Sequence, residues 1–238
     1  MIPLRDDNPT TIKPLVTISI IITCISVFFY QLSLLGSEER IFVYQFGVIP
    51  AVIFGEDAIS SRHVIIPAPL SLISSMFLHG GWVHLIGNML YLWIFANNIE
   101  DAMGHRRFIV FYILCGVIAA LSHAFTVPSS PIPMVGASGA ISGVLGAYLL
   151  LYPRASILIL IPIWIFIKIV RVPAALVLGL WFILQLTSSH ASLPSSGGGI
   201  AWFAHIGGFI AGIVLIGFFK RPQIRFFNPP SRHSRGYG

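Results

Sequence analysis

Of the 238 residues, 56% are hydrophobic and 9% charged, the mean hydropathy is +0.88 and the formal net charge is +6. That is too little polar surface for a water-soluble domain of this size, so a soluble enzyme or soluble binding module is excluded. The excess of Lys and Arg fits orientation in a bilayer and contact with anionic headgroups better than nucleic-acid binding, and no nucleic-acid partner is expected.

Met1–Lys13 is polar and the first apolar run after it is long enough to span, so the sequence predicts a retained first helix rather than a cleaved signal. Residues 1–14 are the expected cytoplasmic N-terminal segment, residues 15–219 the membrane domain and residues 220–238 a basic, disordered cytoplasmic tail. Candidate spans are Leu15–Leu35, Trp82–Ile99, Phe108–Phe125, Ser138–Tyr152, roughly Arg171–Ser188 and Trp202–Phe219. Several are shorter than the ~20 residues that usually cross a 30 Å core. The expected fold is an all-α, polytopic bundle of six transmembrane helices. Cys24 and Cys115 fall inside apolar runs and read as small hydrophobes, not as a disulfide framework.

Two connections need comment. The first outside loop, about residues 36–75, carries Glu38, Glu39, Glu56 and Asp57 among apolar patches, and a loop of that length is expected to have structure or function of its own. Ala155–Val170 is apolar enough to suggest a seventh span, but charge placement opposes it. With six spans and an inside N-terminus, twelve Lys and Arg lie inside and only Arg40 and Arg62 outside, a strong positive-inside bias. A seventh span would move the basic tail outside, so Ala155–Val170 is expected to be an interfacial or re-entrant segment. Ser188–Gly199, rich in Ser and Gly, reads as a flexible lid beside the fifth helix.

Chemistry-bearing residues can be placed by depth. Ser138 lies 16 residues above Arg154, His205 15 above Lys220 and His84 16 above Glu100. At ~1.5 Å per residue all three sit roughly 22–24 Å above the inner boundary of the core, on one level. Polar groups at that depth normally face a bundle interior or a water-filled cavity. A serine hydroxyl becomes a nucleophile when a base takes its proton, and His205 is the candidate base for Ser138. The intramembrane segments hold no Asp or Glu, so a hydrolase here would use a Ser–His dyad. His84 and Asn88, four apart on one helix face, and the unpaired N–H groups at the start of the Ser138 helix are candidate oxyanion donors. Gly139 with Gly143, and Gly208 with Gly212, form small-residue stripes that allow two membrane helices to touch backbone to backbone. That packing could exist without any chemistry. His79 beside His84 suggests a metal site only weakly, because no Cys, Asp or Glu lies at their depth, and no metal is expected.

Three motifs occur in order: Phe77-Leu-His79-Gly-Gly-Trp82-x-His84-Leu-Ile-Gly-Asn88, Gly136-x-Ser138-Gly139 and His205-Ile-Gly-Gly208-Phe-x-x-Gly212. In these the chain resembles the rhomboid family of intramembrane serine proteases, from about Pro69 to Phe218. The resemblance implies Ser138 as nucleophile, His205 as general base and acid, and Asn88, His84 and the nucleophile loop at Gly136 around the oxyanion. It implies transmembrane helices of other proteins as substrates, cut near their outer ends, a lipid bilayer as surroundings and no cofactor. Asn97-Asn-Ile-Glu100-Asp101-x-x-Gly104 also looks like the family pattern and reads as structural, capping a helix end. Many members carry an aromatic residue four positions after the nucleophile, to stack on the histidine. Here that position is Ser142, which leaves open what orients His205. The competing readings are an inactive rhomboid-like protein that binds or escorts membrane proteins, and a small transporter. Against the transporter stand the lack of an internal repeat and of an intramembrane carboxylate. The expected location is a bacterial or archaeal cell membrane, multi-pass, with both termini cytoplasmic. The oligomeric state stays open.

Overall fold

A computed structural model of the chain describes residues 2–55, 65–164, 166–192 and 201–227. A short strand, β1 (Ile2–Asp6), precedes α1 (Leu15–Ser33), after which α2 (Ser37–Phe46) and α3 (Pro50–Ile53) occupy the first long connection. Next come α4 (Ala68–Ser74), a 3-10 turn at Ser75–Phe77, α5 (Trp82–Tyr91), a π-helical turn at Leu92–Ala96, α6 (Asn97–Met103) and α7 (His105–Ala124). The chain ends with α8 (Ser138–Leu151), strands β2 (Ser156–Ile163) and β3 (Phe166–Pro173), α9 (Ala174–Ser192) and α10 (Trp202–Phe219).

Each of the six apolar runs is therefore helical. Among the described residues three helices, α1, α7 and α10, are long and apolar enough to cross a membrane. A fourth crossing is possible if the segment from α4 to α6, bent by 84° near Leu78–Gly81, counts as one span. Ser138–Leu151 and Ala174–Ser189 are shorter apolar helices.

The centre of the bundle is α8, buried continuously from Gly139 to Tyr148 between α7 and α10. A helix buried all round needs neighbours that come close, and its glycines supply the room. A Cβ on Gly208 would lie 2.1 Å from the Gly139 carbonyl oxygen, and one on Gly212 would lie 1.9 Å from that of Gly143. Gly146 is equally tight, with a hypothetical Cβ 2.2 Å from the Phe209 carbonyl oxygen. The two glycine stripes thus face each other, and α8 and α10 touch along their backbones.

At the other end of the membrane domain, the N-terminus of α1 lacks a side-chain cap of its own. Glu100 supplies it from α6: its carboxylate accepts from the backbone N–H of Val16 (2.9 Å) and Thr17 (2.8 Å) and from the Thr17 hydroxyl (2.6 Å). The side chain is fully buried, and its negative charge sits at the positive end of the helix dipole, where it is favourable. The Asn97–Gly104 stretch does cap a helix end, and the helix it caps is α1.

Three expectations need correction. The chain is not all-α: β1, β2 and β3 form an antiparallel sheet in that order, with Ile2 opposite Leu160 and Ser156 opposite Pro173. Ala155–Val170, expected as an interfacial or re-entrant segment, is largely a β-hairpin. The reason is a period of two: Ile157 and Ile159 are buried while Leu158 and Leu160 are half-buried, and β-branched residues suit a pleated, half-buried surface. The N-terminal segment, residues 1–14, carries structure of its own: β1 pairs with this hairpin, and Asp6 accepts from the Tyr148 hydroxyl (2.6 Å) and from Asn98 (2.8 Å). Finally, the tail is ordered at its start. Arg221 donates its backbone N–H to the carbonyl of Ala102 and Phe227 donates to that of Leu150. Residues 228–238 lie outside the described residues, as does the 193–200 part of the expected lid; Ser188–Ser192 belong to α9.

Gly212→Ala should lower the thermal midpoint of the detergent-solubilised protein by an amount equivalent to about 1–3 kcal/mol, through overpacking against Gly143. Gly179→Ala, which meets no atom within 4 Å on α9, should leave it unchanged or raise it. A second prediction concerns pH. Burial pushes the Asp6 carboxyl from 3.8 up to about 6, against the opposing hydrogen bond from Tyr148. A folded-state value above the unfolded one means that the native protein binds this proton more tightly, so the contribution is complete below pH 3.8 and is lost as pH rises through about 6. Asp6→Asn keeps an acceptor for Tyr148 and cannot ionise. Its thermal midpoint relative to wild type should therefore rise between pH 4 and pH 7, a trend read by thermal scanning across that range.

Candidate active site

Three connections meet where α8 begins. The Pro-rich stretch after α7 cannot continue a helix, and it is tied down at Met134, which exchanges backbone hydrogen bonds with Val48 of the first loop (2.7 and 3.0 Å). The Gly136 N–H then donates to the carbonyl of Ser75 at 2.9 Å. Gly136 has φ +125°, a region open to glycine, and a Cβ there would lie 2.7 Å from the His84 ring. Glycine is thus required twice over, for the turn and for the approach of His84. Two residues later Ser138 opens α8.

His205 lies in the first turn of α10, and the contact of α8 with α10 brings its Nε2 to 2.8 Å from the Ser138 Oγ. Its other ring nitrogen, Nδ1, lies 2.7 Å from Oε1 of Gln185 on α9. Trp181 and Trp202 flank the imidazole, with ring centroids 6.0 and 6.2 Å away. Ser142 does not reach the ring: its hydroxyl is buried and donates to the Ser138 carbonyl at 2.7 Å, a bond within its own helix.

On the opposite side stands α5. The Gly80 N–H donates to Nδ1 of His84 at 3.3 Å, which leaves the hydrogen of neutral His84 on Nε2. One turn further along, Asn88 is 7% exposed and its amide nitrogen has no acceptor among the described residues. A buried donor without a partner is costly, and such groups are often ones that await a ligand.

Ser138, His205, His84 and Gly136 are therefore brought together at the N-terminal ends of α5, α8 and α10, with Asn88 one turn further along α5 from His84. Gly139, Gly143, Gly208 and Gly212 form the contact beneath them. Beside Ser138 a cavity of about 30 Å³ is lined by small residues, including Gly116, Ala119, Ala120, Gly139 and Ala204. An alcohol paired with an imidazole, next to free N–H donors and a small recess, is the equipment for acyl transfer. His79 is buried and lies edge-on to His84 at 5.2 Å between ring centroids.

Gln185 was not anticipated, because a search for carboxylates passes over an amide. The signal was available in depth: Gln185 lies 11 residues along α9 from its start at Ala174, about 16–17 Å at ~1.5 Å per residue and so well inside an apolar helix. A lone amide there calls for a partner.

A family model described as the Rhomboid domain matches residues 68–222. Among curated relatives, RHOMBOID-like protein 5 of Arabidopsis thaliana is 34% identical over 160 residues, covering 66% of this chain and 47% of the relative. Rhomboid protein 1, mitochondrial, of Saccharomyces cerevisiae is 29% identical, covering 63% of this chain and 41% of the relative. Rhomboid protease GluP of Bacillus subtilis is 40% identical over 79 residues, 33% of this chain and 15% of the relative. The chain thus spans about half the length, or less, of these relatives. They come from a plant, a yeast and a bacterium, so they give no support to a specifically bacterial or archaeal origin.

Proposed function

The chain belongs to the rhomboid family, and on that premise we propose that it is an intramembrane serine endopeptidase that cuts transmembrane helices of other proteins through a Ser138–His205 dyad. The observation that carries this reading is the 2.8 Å contact of Ser138 Oγ with His205 Nε2, made inside an apolar bundle with unpaired N–H donors alongside. Ser138 Oγ attacks the scissile carbonyl carbon as its proton passes to Nε2 of His205. The oxyanion accepts from the Asn88 amide, from Nε2–H of His84 and from the backbone N–H at the start of α8. His205 then returns the proton to the departing amine, the C–N bond breaks, and a water activated by the same imidazole releases the acyl group from Ser138. The small-residue cavity beside Ser138 accommodates a small side chain at the cleaved position.

In this reading six segments cross the bilayer, α1, the α5–α6 stretch, α7, α8, α9 and α10, with both termini cytoplasmic as the charge distribution requires. On that topology α8, at 14 residues too short for the full core, begins below the outer surface, so the site lies there rather than at mid-depth. A substrate helix must give up its own hydrogen bonds to enter, so segments with helix-breaking residues near their outer end are favoured.

The test is cleavage of a model single-pass substrate by purified protein in detergent, with covalent reaction of a fluorophosphonate probe alongside. Ser138→Ala and His205→Ala should abolish both, and Asn88→Ala should lower kcat by about 10²-fold with the probe still reaching Ser138. Probe labelling that survives Ser138→Ala, or a wild-type protein that binds such substrates without cutting them, would exclude the protease reading and leave the escort function.

A further inference from the structure

Gln185 is 7% exposed on α9 and sits among apolar neighbours. Burying an amide there is costly unless it is hydrogen-bonded, and its bond is to the imidazole that also contacts the nucleophile. A neutral imidazole carries one hydrogen, on one of its two nitrogens. With an amide oxygen 2.7 Å from Nδ1, the hydrogen belongs on Nδ1, and Nε2 is left with its lone pair toward the Ser138 hydroxyl 2.8 Å away. The other tautomer would set two lone pairs against each other at Gln185 and point an N–H at the group that must lose its proton.

We propose that Gln185 is a positioning residue that holds His205 in the base-competent tautomer and stabilises the imidazolium formed when Ser138 gives up its proton. The amide thereby takes the place that a carboxylate holds in Ser-His-Asp triads. The inference rests on the dyad reading above and adds a third member to it. Among the described residues, the other titratable groups that act electrostatically on the ring are the imidazoles of His84 on α5 and His123 on α7, and neither is a carboxylate. Trp181 and Trp202 flank the ring, with centroids 6.0 and 6.2 Å away. Since Ser138, His205 and Gln185 stand on α8, α10 and α9, the tautomer is set only while α9 is seated against the other two helices.

The experiment measures kcat and KM against pH for the full-length protein in detergent. Gln185→Leu should lower kcat by about 10²-fold while KM stays within about threefold of wild type. Gln185→Glu, nearly isosteric and able only to accept, should recover most of the loss. Its fixed anion favours the imidazolium, so the acidic limb of the kcat/KM profile should move up by about one pH unit or more. Wild-type kcat and an unmoved profile in Gln185→Leu would overturn the proposal and leave the dyad standing. Equal impairment of both variants with an unmoved limb would reduce Gln185 to a packing role and also overturn it. If Gln185→Leu fails to fold, the limb of Gln185→Glu decides. A wild-type protein with no Ser138-dependent reaction at all would overturn the dyad and this inference together.

Discussion

Two backbones, those of α8 and α10, run so close that Gly143 and Gly212 leave no space for a methyl group between them. In lipid the usual hydrophobic drive to bring helices together is missing, and such tight packing is what holds them. The same contact fixes the separation of the first turns of the two helices, and with it the distance between a hydroxyl and an imidazole. Packing and proposed chemistry therefore rest on one geometric fact. The small-residue stripes are the floor on which the site stands, and any side chain added to them is felt at the site above.

A second requirement is that polar atoms inside the bundle find partners. At the Glu100 end of the bundle this is met inside the protein: Glu100 caps α1, and Asp6 accepts from both Asn98 and Tyr148. At the Ser138 end it is met only in part, since the Asn88 amide nitrogen and both ring nitrogens of His79 are buried without partners among the described residues. An unpaired buried donor raises the energy of the resting protein, and in the proposed reaction a developing oxyanion would satisfy the Asn88 amide.

Much of the helical frame was legible in the sequence, because apolar runs and charge bias are signals of composition and survive without tertiary information. The level shared by Ser138, His205 and His84 was legible for a similar reason, since a helix rises by a constant amount per residue. The hairpin was not. Its alternation of Ile157 and Ile159 with Leu158 and Leu160 hides in hydropathy, where all four look alike, and its partner strand β1 lies some 150 residues away in the chain. The ordered start of the tail and the reach of Glu100 to α1 escaped for the same reason, being contacts between distant segments. Gln185 escaped because its role depends on one atom of a ring on another helix. With Ser142 turned back onto its own backbone, the orientation of His205 comes from a hydrogen bond where an aromatic stack was looked for.

The central claim is that the Ser138 hydroxyl reacts at a carbonyl whose oxygen is received by α5. It is tested most directly by determining the structure of the protein after reaction with a fluorophosphonate, which leaves a tetrahedral phosphonyl group in place of the intermediate. The account predicts phosphorus bonded to Ser138 Oγ, with its free oxygen about 3 Å from the Asn88 amide nitrogen and His84 Nε2. A phosphonyl group on any other residue, or one whose oxygen points away from α5 toward lipid, would contradict it.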